Sequence, residues 1–253
     1  MVAPTYQDVV RANGGWLSWA LTETSGTTFV PWLGVGNMTG SGTFLYQQTG
    51  PFATAFGLHL AATTQVHFAF TSVIQPPFTQ ECWIKFDSLT LATNAYLIKT
   101  GADGTNGSGF YVKSTDKHVH QEQGGVQDLD TLFVWPDTNW HLVDWVSETG
   151  TQDSFYFDGT LMYRAAHSVG NTPSPNVEAF ASNGSGTTTN VVGLIAYPTL
   201  YPRALTSTQV FAQFLAATDP LSALAFTATG GGAAPGGSQA ILQQILNAVF
   251  KSF

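Results

Sequence analysis

Between Ala53 and Phe86 the apolar residues fall on every second position: Phe56, Leu58 and Leu60, then Val66, Phe68 and Phe70, then Cys82, Ile84 and Phe86. A period of two turns one side of each run toward a core and the other toward water, which is the signature of a strand. The pattern returns at His141 to Ser147, Ser154 to Asp158 and Val191 to Tyr197, with clusters of Gly, Pro, Asn and Thr between the runs. Short strands parted by turn residues bury their apolar sides in a sandwich or a barrel. At 253 residues the chain suits one large β domain. The expectation is two facing antiparallel sheets from about Trp16 to Leu215.

One helix interrupts the strands. Thr206 and Gln209 have capping-box spacing ahead of Val210, Phe211, Phe214 and Leu215, and Asp219-Pro220 stops the helix. After Phe226 the chain turns Gly-rich, which divides it into a domain over 1–228, a linker over 229–237 and a tail over 238–253. In that tail Ile241, Leu242, Ile245, Leu246, Val249, Phe250 and Phe253 draw one apolar stripe along a helix that Ser238 caps. A helix this short is marginal alone in water, so the stripe is expected to dock on another subunit or on copies of itself.

Charge narrows the partners. The chain has 16 acidic and 8 basic residues, a net charge of -8, and only 9% charged residues overall. The basic residues Arg11, Lys85, Lys99, Lys113, Lys117, Arg164, Arg203 and Lys251 form no stripe, which argues against nucleic acid and anionic membrane. No apolar run is long enough for a bilayer span, and the N-terminus lacks the order of a secretory signal, so the mature chain is expected to begin at Met1. Cys82, alone and in an apolar run, is expected to be a buried inert thiol.

Four segments, in order, resemble the laminin-G-like branch of the concanavalin A-like jelly rolls. SWALTETSGTTFVPWLG carries Trp19, Leu21, Glu23 and Gly26; FTQECWIKF carries a core tryptophan, Trp83; NWHLVDWVSETGTQDSFYFDG carries Trp140, His141, Phe157, Asp158 and Gly159; VVGLIAYPTLYPRALTSTQVFAQF carries Gly193, Tyr201, Leu205 and Val210. The resemblance implies an all-β sandwich of two antiparallel sheets with a short helix near its end. It also implies sugar-binding, adhesion, enzyme or phage-particle roles, between which fold alone does not choose. The family's closing strand usually has an Asp-Glu pair where this chain has Ala196 and Tyr197.

The chemistry that this chain can carry is limited. Glycosidases of this fold use a Glu-x-Asp-x-x-Glu phrase to flank the scissile bond, and the chain has none. Asp128 and Asp130 alternate but read as a solvated turn. His118 and His120 would share a strand face with Glu122 as third donor, yet two histidines do not make a metal site, and an exposed polar strand is expected. The loop from Gly101 to Gly109 offers Asp103 and Asn106 to calcium, although a hairpin tip accounts for the same glycines. No other cofactor is expected. Three sequons, at Asn37, Asn106 and Asn183, read as chance in so Ser/Thr-rich a chain.

Sugar binding by a sandwich relies on exposed aromatic faces beside Asn and Asp. Trp32 and Trp135 read as loop residues, with Asp137 and Asn139 beside Trp135, whereas Trp16, Trp19, Trp83, Trp140 and Trp145 read as core. The functional expectation is a non-enzymatic bacteriophage virion protein, tail-associated or capsid-decorating, displayed on the virion surface. Its lectin-like domain would contact host-surface carbohydrate, and its terminal helix would hold it to the particle. The alternatives are a glycan-cleaving enzyme of the same fold and an architectural protein without a ligand.

Overall fold

A computed structural model describes residues 4–69, 74–101, 107–123, 127–149, 152–166, 177–182 and 190–220. The tail stripe from Ile241 to Phe253, the linker, Asp103, Asn106 and Asn183 lie outside the described residues. The chain opens on helix α1 (Tyr6–Ala12), then runs through strands β1 (Leu17–Ser18), β2 (Thr28–Phe29), β3 (Met38–Ser41), β4 (Phe44–Thr49), β5 (Phe56–Leu60) and β6 (Gln65–Ala69). It continues with β7 (Phe78–Phe86), β8 (Ala95–Thr100), β9 (Ser108–Val112), β10 (His118–Gln123), β11 (Gln127–Val134), β12 (His141–Thr149) and β13 (Gln152–Phe157). Strands β14 (Thr160–Ala166), β15 (Val177–Phe180) and β16 (Gly193–Tyr201) precede helix α2 (Ser207–Thr218).

The first sheet has the order β14-β13-β12-β7-β16-β5-β4, with β1 beside β16, and the second the order β11-β10-β9-β8-β15-β6-β3-β2. All their strand pairs are antiparallel, so the expected two-sheet sandwich is the observed fold. Between the sheets lie Cys82, Ile84 and Phe86 of β7, Val143 and Trp145 of β12, and Leu97, Phe110 and Val119 from across the gap. Cys82 is buried, and burial pushes its thiol pKa well up, as an inert core residue requires.

The outer face of the first sheet is covered too. Trp83, Leu142, Val146, Tyr197 and Tyr201 point away from the gap and pack under Tyr6 and Val10 of α1 and Val210 of α2. Strand β7 is therefore buried on both faces: Cys82, Ile84 and Phe86 alternate toward the gap while Trp83 between them is buried on the other side. Thr206 caps α2 in a complete capping box with Gln209, and Asp219 closes it, as the sequence indicates. Helix α1 was not expected. Its signal is a second capping box, Thr5 with Asp8, on only 7 residues of helix. Among the described residues no helix is long and apolar enough to cross a membrane.

Two tryptophans expected in the core sit elsewhere. Trp16 is 44% exposed, because it precedes β1 at the sandwich surface. Trp140 is half-buried at the rim of the helix-covered cluster.

Candidate functional site

Strand register on the outer face of the second sheet aligns two cross-strand ladders. Tyr96, Tyr111, His120 and Asp130 pair in sequence across β8, β9, β10 and β11, and Lys99, Gly109, Glu122 and Asp128 pair beside them. Alternation sends all of these side chains to the same side. The Tyr96 and Tyr111 rings lie 5.1 Å apart, and His120 stacks on Tyr111 at 5.5 Å. A methyl group at Gly109 would sit 2.2 Å from the Ile98 carbonyl oxygen, so only glycine lets β8 and β9 close up there.

Asp128 gathers three donors: the Tyr111 hydroxyl at 2.8 Å, the Lys113 ammonium at 3.1 Å and His120 Nδ1 at 2.8 Å. Burial pushes the Asp128 carboxyl up, but those three bonds outweigh it and its pKa is lowered. Asp130 is likewise lowered: desolvation opposes, and the Leu132 amide and His118 prevail. Both are strand residues of β11, not the solvated turn that the sequence suggests, and both stay ionised at neutral pH.

Strand β10 does place His118 and His120 on one face, but His120 is only 4% exposed, where an exposed polar strand was expected. Glu122 is not the third donor either, since the Lys99 ammonium and the Tyr96 hydroxyl, at 2.6 Å, hold it. Asp116 takes that place. Asp116, His118 and His120 each bring one atom able to ligate a metal within 4.8 Å of the others.

The tryptophan reading needs a correction. Trp135 is 1% exposed and lies edge-on to Phe86, Phe157 and His141, so it offers no face to a sugar. Its loop folds back on itself: the indole N–H donates to the Asp137 carbonyl at 2.9 Å, which turns the ring inward. Asp137 accepts from the Asn139 amide at 2.6 Å and pairs with His141 at 2.9 Å, so its carboxylate is occupied in bracing the hairpin. Asn139 is exposed beside it. Trp32 is half-buried, with the Arg11 guanidinium over its ring at 4.8 Å and its N–H on the Ser18 hydroxyl at 2.9 Å. The structure thus holds Trp135, Asp137 and Asn139 together in one loop with the Trp135 ring turned inward, leaves Trp32 apart from them beside Arg11, and assembles the outer-face ladders elsewhere.

His141 is held from both sides, by Asp158 at 2.8 Å and Asp137 at 2.9 Å. Burial pulls its pKa down, but the two carboxylates outweigh burial and the net shift is upward. A raised folded pKa means that the contribution to stability is full below the unfolded value of about 6.5 and is lost as pH rises through the folded value. The stability advantage of the parent over His141→Gln should therefore shrink as pH rises above about 6.5, as read by urea unfolding. An advantage that grows with pH would contradict the assignment.

Comparison with known proteins bears on the family and the fold. The sequence matches the family described as the concanavalin A-like lectin/glucanases superfamily over residues 60–211. No curated protein sequence matches. Among solved structures, domain 4 of AbnA, a GH43 extracellular arabinanase from Geobacillus stearothermophilus solved with arabinotriose, superposes with a TM-score of 0.60 at 17% identity, over 79% of this chain and 98% of that one. Trypanosoma rangeli sialidase with sialic acid gives 0.61 at 14% identity, over 87% of this chain and 34% of that one. The binding domain of botulinum neurotoxin DC with rat synaptotagmin II gives 0.60 at 13% identity, over 80% and 51%. At these identities the likeness is one of fold.

Proposed function

The chain belongs to the concanavalin A-like lectin/glucanases superfamily, and from that premise we propose a non-catalytic, lectin-like module of a bacteriophage particle that contacts host-surface glycan. The contact face is the outer side of the second sheet. The observation that carries this reading is the pair of ionised carboxylates Asp128 and Asp130, with the Lys113 ammonium beside Asp128, partly exposed along one edge of that face, a set of partners suited to sugar hydroxyls.

The same carboxylates favour binding over cleavage. Glycoside hydrolysis needs one carboxyl that keeps its proton near neutral pH. Asp128 and Asp130 are both shifted the other way, and among the described residues the acids shifted up, Glu81, Asp144 and Glu178, are at most 1% exposed. The particle assignment is supported by sequence features: few charges, a surface solvated by Thr, Asn and Gly, and an apolar stripe tethered by a Gly-rich linker. On this reading the protein sits at the virion surface, in the tail or on the capsid.

The test is binding to host cells and to a panel of bacterial surface polysaccharides, with reducing-sugar release measured in parallel. Asp128→Ala combined with Lys113→Ala should lower binding by tenfold or more, as expected when charge-assisted bonds of about 1.5–3 kcal/mol are removed, while Trp32→Ala leaves it unchanged. Equal binding by the double variant would sink the outer-face site. Turnover would establish the enzyme, and silence on every glycan, with firm attachment to a particle, the architectural protein.

A further inference from the structure

The corner where β10 meets β11 carries an arrangement that sugar binding does not explain. His120 Nδ1 is bonded to the Asp128 carboxylate at 2.8 Å. A carboxylate accepts, so Nδ1 holds the proton and the lone pair of the neutral ring is on Nε2. That Nε2 is buried and makes no hydrogen bond. It faces Asp116 at 3.5 Å and Asp130 at 3.9 Å. A neutral ring aims that lone pair at two carboxylates, a repulsive arrangement that a cation on Nε2, a proton or a metal ion, relieves. His118 closes the other side, with Nδ1 at 3.0 Å from Asp130.

We propose that Asp116, His118 and His120, with Asp130 as a fourth donor, form a binding site for a divalent cation of the zinc class. The donor set decides the class: two imidazoles with carboxylates suit zinc and its neighbours, whereas calcium and magnesium take oxygen alone. The bond from Asp128 to His120 supplies the outer carboxylate that orients a metal-binding histidine and fixes its tautomer. Zinc–nitrogen bonds of about 2.0–2.1 Å need the ligand atoms to draw together from their present spacing. Asp116 and His118 have room to do so, because the one is exposed and the other half-exposed. The fixed member is His120, stacked on Tyr111 and buried. In sequence terms the site is D-x-H-x-H, with Asp116 in the turn ahead of β10 and both histidines on the strand, completed by the register that sets Asp130 opposite His120.

The site shares Asp128 and Asp130 with the proposed glycan face, but it does not depend on glycan binding and its test involves no sugar. The full-length chain, stripped with chelator, is titrated with Zn2+ by calorimetry and by equilibrium dialysis with metal analysis, with Ca2+ in parallel. The expected result is one Zn2+ per chain and a melting temperature raised by about 5–10 °C at a hundredfold excess over Kd, with no shift from Ca2+ at the same concentration. Asp116→Asn combined with His118→Asn, both outside the core, should weaken Zn2+ by a hundredfold or more and leave the metal-free melting temperature unchanged. His120→Asn should abolish binding. Zn2+ bound as tightly by the double variant as by the parent, or not bound by the folded parent, overturns the proposal. A site that takes Ca2+ in preference overturns its class.

Discussion

Replacing Trp83 with alanine should lower the free energy of unfolding by about 3–5 kcal/mol, the range for truncating a large buried aromatic. Trp83 is 1% exposed and lies on the outer face of the first sheet, beneath both helices. Its ring contacts Tyr6 at 6.4 Å, Phe52 at 6.3 Å and Phe214 at 6.1 Å between centroids, so one side chain joins α1, the β4–β5 hairpin and α2 to the sheet. The cavity left by alanine cannot be filled by a local shift, since three separate elements border it. Trp140→Ala, at the half-buried rim, should cost clearly less. Urea unfolding followed by circular dichroism measures both, and a Trp83→Ala loss under about 1 kcal/mol would place the residue outside the core.

Raising the pH from 5 to 8 should cost the parent protein at least about 2 kcal/mol of stability through one buried pair, Glu81 and Asp144. The two are direct cross-strand partners on β7 and β12, both 0% exposed. Two carboxylates this close in a dry site cannot both ionise. Burial is the main cause that pushes Glu81 up, to about 7 from an ordinary 4.5, and bonds from Tyr6, Asp144 and Tyr201 moderate it; burial and the Glu81 charge push Asp144 well up. The folded chain thus keeps a proton that the unfolded chain releases. Stability falls as pH climbs from the unfolded values, and the proton that Asp144 keeps carries the fall on beyond the Glu81 value. The neutral pair Glu81→Gln with Asp144→Asn keeps the shapes and the bond from the Tyr6 hydroxyl, and should lose stability less steeply than the parent between 4.5 and about 7, with buried Glu178 keeping its own share of the slope. A double variant with the parent's slope over that interval would refute the assignment.

What the sequence reveals follows from how local each cause is. Alternation in Leu58, Leu60, Ile84 and Phe86 is a property of single strands, and all four reach the core. The capping box of α2 is equally local. Trp135 was misplaced because Pro136, Asp137 and Asn139 signal a loop, which is correct, while the direction in which the loop turns its first residue depends on Phe86 and Phe157, distant in sequence. The cation site divides in the same way. His118 and His120 are two apart and legible as one face, whereas Asp130 joins them only through a hairpin register interrupted between His118 and His120. Asp116 precedes the strand and gives no periodic signal. Burial of His120 comes from the neighbouring strand's Tyr111, which no reading of β10 alone supplies.

That interrupted register has a further consequence for the company the protein keeps. Strand β11 is an outer strand of its sheet, and an unpaired strand is a template on which another chain can add itself. Here the pairing shifts between His118 and His120, Leu132 adopts a left-handed backbone at φ 61°, and Asp128 and Asp130 project from the same strand. An incoming strand finds its backbone partners out of step and meets negative charge. Leu132 and Val134, 76% and 51% exposed on that strand, are thereby kept from seeding polymers when many copies are crowded side by side.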